Sequence, residues 1–178
     1  MSSISVDERQ RDYPQNRDNP IIPLAITGWL DAVLPDLQQQ AIESLESGAV
    51  LYLPQLPFVV SPHEREVLNT YQSRRKNVTL SRKIPQLRDI DPESEMALVM
   101  MSLLRRYSTQ SEALIRALFP AYGHQLITAR VSFRPAEIAG REIDPVYDDR
   151  RLHADAFPNQ PTRGARILRV FNNINPYG

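Results

Sequence analysis

The amino-acid sequence predicts an α+β domain in which helices come first and strands last. Apolar residues recur at helical spacing over residues 36–47 and again from Pro92 to about Leu118. After Leu126 the repeat shortens from about 3.6 residues to about 2, the period of a half-buried strand. Composition sets the frame. The chain has 178 residues, 42% of them hydrophobic and 24% charged, enough for one ordinary globular domain with a core. We expect a flexible tail over 1–20 and a single, incomplete domain over 21–178, helical from about 24 to 125 and β from about 126 to 178. Zero Cys excludes a disulfide framework and thiolate metal sites. A formal net charge of zero offers no global field for nucleic acid, so no nucleic-acid partner is expected. Of the 21 basic residues only Lys76 and Lys83 are Lys; the rest are Arg, the side chain suited to gripping carboxylates and phosphates in a planar fork, although codon usage produces the same bias.

Met1 to Asn19 is polar and lacks the apolar core of a signal peptide. The apolar run Ile21 to Leu30 is interrupted by Pro23 and Gly28 and falls far short of the ~20 residues that cross a bilayer. A cytoplasmic protein is expected, soluble or peripheral on the inner membrane. Asp36 to Ser47 reads as an amphipathic helix carrying Leu37, Ala41, Ile42 and Leu45, with Asp36 as N-cap and Gly48 as terminator. Ala49 to Leu53, bounded by Gly48 and Pro54, reads as a short buried strand. Ser61-Pro62-His63-Glu64 has the form of a capping box that starts a helix running to about Tyr71 and leaves His63 solvated in its first turn. Between Val67 and Arg88 lie six basic residues and no acid, including Arg74, Arg75, Lys76, Arg82 and Lys83. Such a run is ordinarily a solvated face; its functional reading is a patch for anionic lipid or phosphate.

Asp91-Pro92 opens the strongest helix, with an apolar stripe of Met96, Val99, Met100, Leu103, Leu104 and Tyr107 continued by Leu114, Ile115 and Leu118. A break near Ser108 to Ser111 would make it two helices, and the methionines read as core filler. Pro120 and Gly123 end the run, and His124 is a bystander in the turn. From Ile127 to Arg134 the apolar Ile127, Ala129, Val131 and Phe133 alternate with Thr128, Arg130, Ser132 and Arg134. Pro135 to Arg150 is a polar loop, Pro158 to Gly164 a turn-rich link, and Ala165 to Asn175 a second alternating strand.

Between them sits His153-Ala154-Asp155. Residues two apart on an extended backbone project to one face, so imidazole and carboxylate converge, supplying two of the three ligands of a facial triad. The pattern alone is weak: three His and eleven Asp give about 0.2 chance occurrences in a chain of this length, and a hydrogen-bonded His beside a turn Asp is the commoner arrangement.

The surrounding run from Arg151 to Pro176, RLHADAFPNQPTRGARILRVFNNINP, resembles the Kdo hydroxylase family through LH-x-DAFP, the Pro-Thr-Arg-Gly link and the strand ILRVFNNINP. It extends more loosely upstream through Ala129 to Pro135. The resemblance implies an Fe(II)- and 2-oxoglutarate-dependent dioxygenase that uses O2 to hydroxylate the Kdo sugar of Kdo-lipid A in lipopolysaccharide. It implies N-terminal helices packed on a double-stranded β-helix (jelly-roll, cupin-like) core, with only the first half of that core within this chain. It makes His153 and Asp155 the metal ligands, and Arg130, Ser132 and Arg134 candidate contacts for an anionic substrate or cosubstrate, an exposed sheet face being the alternative. Asn172 or Asn173 lies near the cosubstrate; alternation cannot choose between them, since a bulge reverses the assignment. The family's distal iron-binding His and the basic residue that clamps 2-oxoglutarate are expected beyond Gly178, so a chain of this length is expected to be inactive and poorly stable alone. Two other readings stay open: a dioxygenase of the same kind with another substrate, and a non-catalytic module binding anionic glycolipid through the Arg74 to Arg88 stretch.

Overall fold

A computed structural model describes residues 21–71, 77–81, 87, 90–135 and 161–175. The chain divides into two compact units, residues 1–57 with 109–128 and residues 58–108 with 129–178.

In the first unit, strand β1 (Ile21–Pro23) and strand β2 (Val50–Tyr52) pair in parallel, with Ile21 opposite Val50 and Pro23 opposite Tyr52. Helix α1 (Pro35–Glu46) makes the crossover between them. Pro35 occupies its first turn, where the missing N–H costs nothing and the fixed φ is already helical. Asp36 is therefore not the N-cap. Leu34 holds that place without a side-chain bond, and Asp36 lies in the first turn, where its charge complements the helix dipole. The end follows expectation. Gly48 takes φ +91°, its N–H donates to Leu45 O and the Ala49 N–H to Ser44 O, the paired bonds of a Schellman stop. Ala49 is buried, but Val50 is 60% and Tyr52 55% exposed, which corrects the expected buried strand. Leu51 alone of β2 is half-buried, because one face of a two-stranded sheet is uncovered among the described residues. Trp29 is buried and donates its indole N–H to Pro57 O at 2.8 Å. Gln38 of α1 donates to Ala117 O at 2.8 Å.

In the second unit, helix α2 (Pro62–Asn69) starts as its sequence predicts. Ser61 Oγ accepts from the Glu64 N–H, and Glu64 Oε2 accepts from the Ser61 N–H at 2.8 Å, closing the capping box. Helix α3 (Glu95–Leu118) contributes its first turns to this unit and its last turns to the other. It begins later than expected. Asp91 closes a turn, its Oδ1 accepting from the Glu93 N–H, and Ser94 caps the helix by accepting from the Ala97 N–H at 3.2 Å. It is also unbroken through Ser108 to Ser111. Ser, Thr and Gln each cost only tenths of a kcal/mol in a helix, roughly 0.7 at most, and buried Leu104 and Leu114 flank the stretch.

Strand β3 (Val78–Ser81) pairs antiparallel with strand β4 (Arg130–Phe133). Val78, Leu80, Met100, Leu103 and Leu104 form the buried core, with Val131, Phe133 and Ile174 packed against it. The predicted strand over 127–134 is thus shortened, and Ile127 is 90% exposed. The predicted strand over Ala165 to Asn175 is not formed: no partner strand for it is present among the described residues, and an alternating pattern without a ladder leaves its amides unpaired by sheet bonds. A turn does precede it, with positive φ at Arg163 and Gly164 and a bond from the Ala165 N–H to Thr162 O. The N-terminal tail and the loop 136–150 lie outside the described residues.

Candidate functional site

The β3–β4 ladder decides where the candidate substrate contacts point. Val78 and Leu80 face the core from β3 and Val131 and Phe133 from β4, so Thr79, Ser81, Arg130 and Ser132 share the opposite face. The strand's alternation therefore assigns its two faces correctly. Arg130, Ser132 and Arg134 are all exposed. Thr79 stands opposite Ser132, their hydroxyls 2.8 Å apart with either as donor. Arg134 donates its Nε–H to Asn77 Oδ1 at 3.3 Å. Sequence reading missed Asn77, Thr79 and Ser81 as partners of this face. Their signal was present in the alternation of Val78-Thr79-Leu80-Ser81, but it lay inside a run read for its charge.

The two asparagines separate. Asn173 Oδ1 accepts from the Asn175 N–H at 3.0 Å, a local turn bond. Asn172 is exposed and makes no hydrogen bond with a described residue. Ile174 between them and the chain's last described residue packs on the core, and its carbonyl accepts from Arg65 Nη1 at 3.3 Å.

A second polar cluster, also absent from the sequence reading, holds α2 to α3. Arg106 donates from Nη1 to Glu64 Oε1 at 2.8 Å and from Nη2 to Glu64 Oε2 at 3.1 Å. It donates from Nη2 to Val59 O at 2.9 Å as well, and lies over the Phe58 ring. The Arg106 hydrogen bonds hold the Glu64 carboxyl below its usual range; burial opposes this, and the Ser61 N–H adds to it. An open groove of about 410 Å³ beside this pair is lined by Ser61, His63, Leu98 and Ser102 among others, none of them a residue expected to bind substrate or iron.

His63 is exposed, 3.4 Å from Glu95, and His124 is exposed in a turn. Among the described residues no three His, Cys, Asp or Glu side chains are grouped to hold a metal ion. His153 and Asp155 lie outside the described residues, as do Arg74, Arg75, Lys76, Arg82 and Lys83. An imidazole nitrogen with a carboxylate oxygen is a donor set that suits Fe(II); His63 has the Glu95 carboxylate beside it, but no third such ligand joins them among the described residues.

Residues 29–178 match the family model of 3-deoxy-D-manno-oct-2-ulosonic acid (Kdo) hydroxylase. The chain belongs to the Kdo hydroxylase family. Solved structures agree. The Kdo hydroxylase KdoO, a non-heme Fe(II) α-ketoglutarate-dependent dioxygenase, in complex with cobalt(II) is 43% identical with a TM-score of 0.80. Its complex with α-ketoglutarate and Fe(III) is 42% identical with a TM-score of 0.79, and its apo structure 42% with 0.81. Each match covers 89% of this chain and 53 to 54% of the KdoO chain, so this chain spans about half the length of those relatives. No curated protein sequence matches it.

Proposed function

We propose that this chain carries the first part of an Fe(II)- and 2-oxoglutarate-dependent dioxygenase that hydroxylates the Kdo sugar of Kdo-lipid A. The observation that supports it most is the 42% identity, over 89% of the chain, to KdoO in complex with α-ketoglutarate and Fe(III). The β3–β4 ladder then belongs to the first half of a double-stranded β-helix.

His153, as a neutral imidazole, and Asp155, as a carboxylate, hold the iron as two of its protein ligands. The bound iron, with 2-oxoglutarate and O2, supplies the oxidation, which yields hydroxylated sugar, succinate and CO2. The protein's own part is to fix those two ligands, exclude water and present one C–H bond of the sugar. Asn172, whose amide bonds no described residue, is the asparagine available to the cosubstrate. The basic residues from Arg74 to Lys83 meet phosphate groups at the cytoplasmic face of the inner membrane as a peripheral contact, and among the described residues no helix is long and apolar enough to cross a membrane.

The test uses purified full-length protein with Fe(II), 2-oxoglutarate, O2 and Kdo-lipid A. Succinate formation and a gain of one oxygen atom in the lipid, read by mass spectrometry, are expected, and Asp155→Ala is expected to abolish both. Unchanged turnover in that variant refutes the ligand assignment. Oxygen gained by another acceptor but not by Kdo-lipid A points to a different substrate.

A further inference from the structure

We infer that Arg65 is a positioning residue for the reaction: reaching from α2 to the carbonyl of Ile174, it fixes residues 172–175 and so sets where Asn172 presents its amide. The inference rests on the reading of Asn172 as the asparagine available to the cosubstrate.

Residues 161–175 need such a hold. No strand is formed there among the described residues, so no sheet ladder sets the place of their backbone. Packing does part of the work, since the Ile174 side chain lies against the core cluster that includes Leu68 of α2 and Leu80 of β3. Apolar contact is non-directional and does not by itself orient the peptide group beside it. Direction comes from hydrogen bonds. The Ile174 carbonyl accepts from Arg65 Nη1 at 3.3 Å, across 109 positions of sequence, and Asn173 Oδ1 accepts from the Asn175 N–H at 3.0 Å, closing a turn around the same residue. The first ties the segment to a helix; the second ties it only to itself.

The helix end that carries Arg65 is itself fixed. The Arg65 N–H donates to Ser61 O at 2.9 Å, inside the capping box of Ser61 and Glu64. Glu64, the preceding residue, is gripped by Arg106 through both carboxylate oxygens, and Val67 and Leu68 are buried. Arg65 is half-buried and makes no ion pair with a described residue. Its hydrogen bond to a described residue is the one to Ile174, and a cation donating to a main-chain carbonyl places the chain whatever side chain is attached there. Asn172 lies two residues before Ile174, at most about 7 Å along the chain. A tilt of the Ile174 peptide is therefore carried to the Asn172 amide, and a misplacement of about 1 Å at a reacting group can cost about a hundredfold.

The test compares purified full-length protein, with Fe(II), 2-oxoglutarate, O2 and Kdo-lipid A, against Arg65→Ala, Arg65→Lys, Asn172→Ala and the double variant of Arg65→Ala with Asn172→Ala. KM and kcat are measured for each, together with amide hydrogen exchange at residues 172–175. Arg65→Ala is expected to raise the KM for 2-oxoglutarate by about five- to tenfold, the scale of one lost hydrogen bond. The KM for Kdo-lipid A should stay within about twofold, and exchange at Ile174 and Asn175 should quicken. Arg65→Lys keeps a donor on a long stem and is expected to recover part of the loss. The double variant should bind 2-oxoglutarate no worse than Asn172→Ala alone, because the two residues act in series. Single effects that multiply in the double variant would overturn the proposal, as would an unchanged KM in Arg65→Ala beside a raised one in Asn172→Ala. An unchanged KM in Asn172→Ala sinks the asparagine reading instead, and a role for Arg65 toward the cosubstrate falls with it. A wild type that forms no succinate sinks the dioxygenase reading, and unchanged exchange at Ile174 in Arg65→Ala then overturns the anchoring on its own.

Discussion

Two stretches of this chain read as strands in the sequence, and only one is a strand. Arg130–Phe133 pairs with Val78–Ser81 and sends Val131 and Phe133 into the core. Residues 165–175 place Leu168, Val170 and Ile174 on one face of an extended backbone, yet Phe171 is 81% exposed and only Val170 and Ile174 are half-buried. Period-2 patterning records which face a backbone would bury. The ladder that makes it a strand must come from a second segment, and here only one of the two has such a partner among the described residues.

That contrast can be broken in order of expected size. Leu80→Ala removes a buried side chain beneath the ladder and should cost about 2–5 kcal/mol in urea unfolding. A cost below about 1 kcal/mol would mean the ladder is not anchored as described. Phe133→Ser against Phe171→Ser is the direct comparison. The first should cost about 2 kcal/mol, since it loses core contact and half-buries a hydroxyl, and the second should stay within about 0.5 kcal/mol. Equal effects would show that residues 165–175 are packed in solution.

Arg106→Ala tests the frame that carries α2, and with it Arg65. A cost of about 1.5 kcal/mol is expected, for a half-exposed donor that leaves Glu64 with fewer partners. Glu64 is held below its ordinary value of 4.5, chiefly by the Arg106 hydrogen bonds. Its contribution to stability is therefore fully present above that ordinary value and is lost as pH falls through the lower folded value. In Arg106→Ala this acid-side loss should shrink, read as a flatter melting temperature against pH below about 4.5. Smallest of all, Arg65→Ala deletes the bond to Ile174 O and should cost about 0.5–1 kcal/mol. Hydrogen exchange should quicken around Ile174 and remain unchanged in β3 and β4.

Much of the fold was legible from residues whose chemistry is local. Ser61 and Glu64 announce a helix start because both halves of their exchange lie within one turn, and Gly48 announces a stop because few other residues tolerate its φ. The faces of β4 were legible for the same reason. What escaped depended on distant partners. Nothing near Ile21 tells that it will lie beside Val50, and nothing near Thr79 names Ser132, 53 positions away. The exposed face of β2 escaped likewise, since whether a short apolar strand is covered depends on the layers placed over it. At the site, the run around His153 and Asp155 was specific enough to give the family, while the hydroxyl pair that flanks Arg130 required the ladder register.

The guanidinium at Arg106 has a consequence for the lopsided basic composition of the chain. Four demands meet there at once: two carboxylate oxygens and a backbone carbonyl to one side, and an aromatic ring to be lain upon. A lysine ammonium, compact and tightly hydrated, can satisfy one or two of these but has no flat surface to rest on Phe58. Whatever the cause of the arginine bias elsewhere in the chain, this particular one is not interchangeable. The substitution Arg106→Lys should keep the charge and still lose the grip between the two helices.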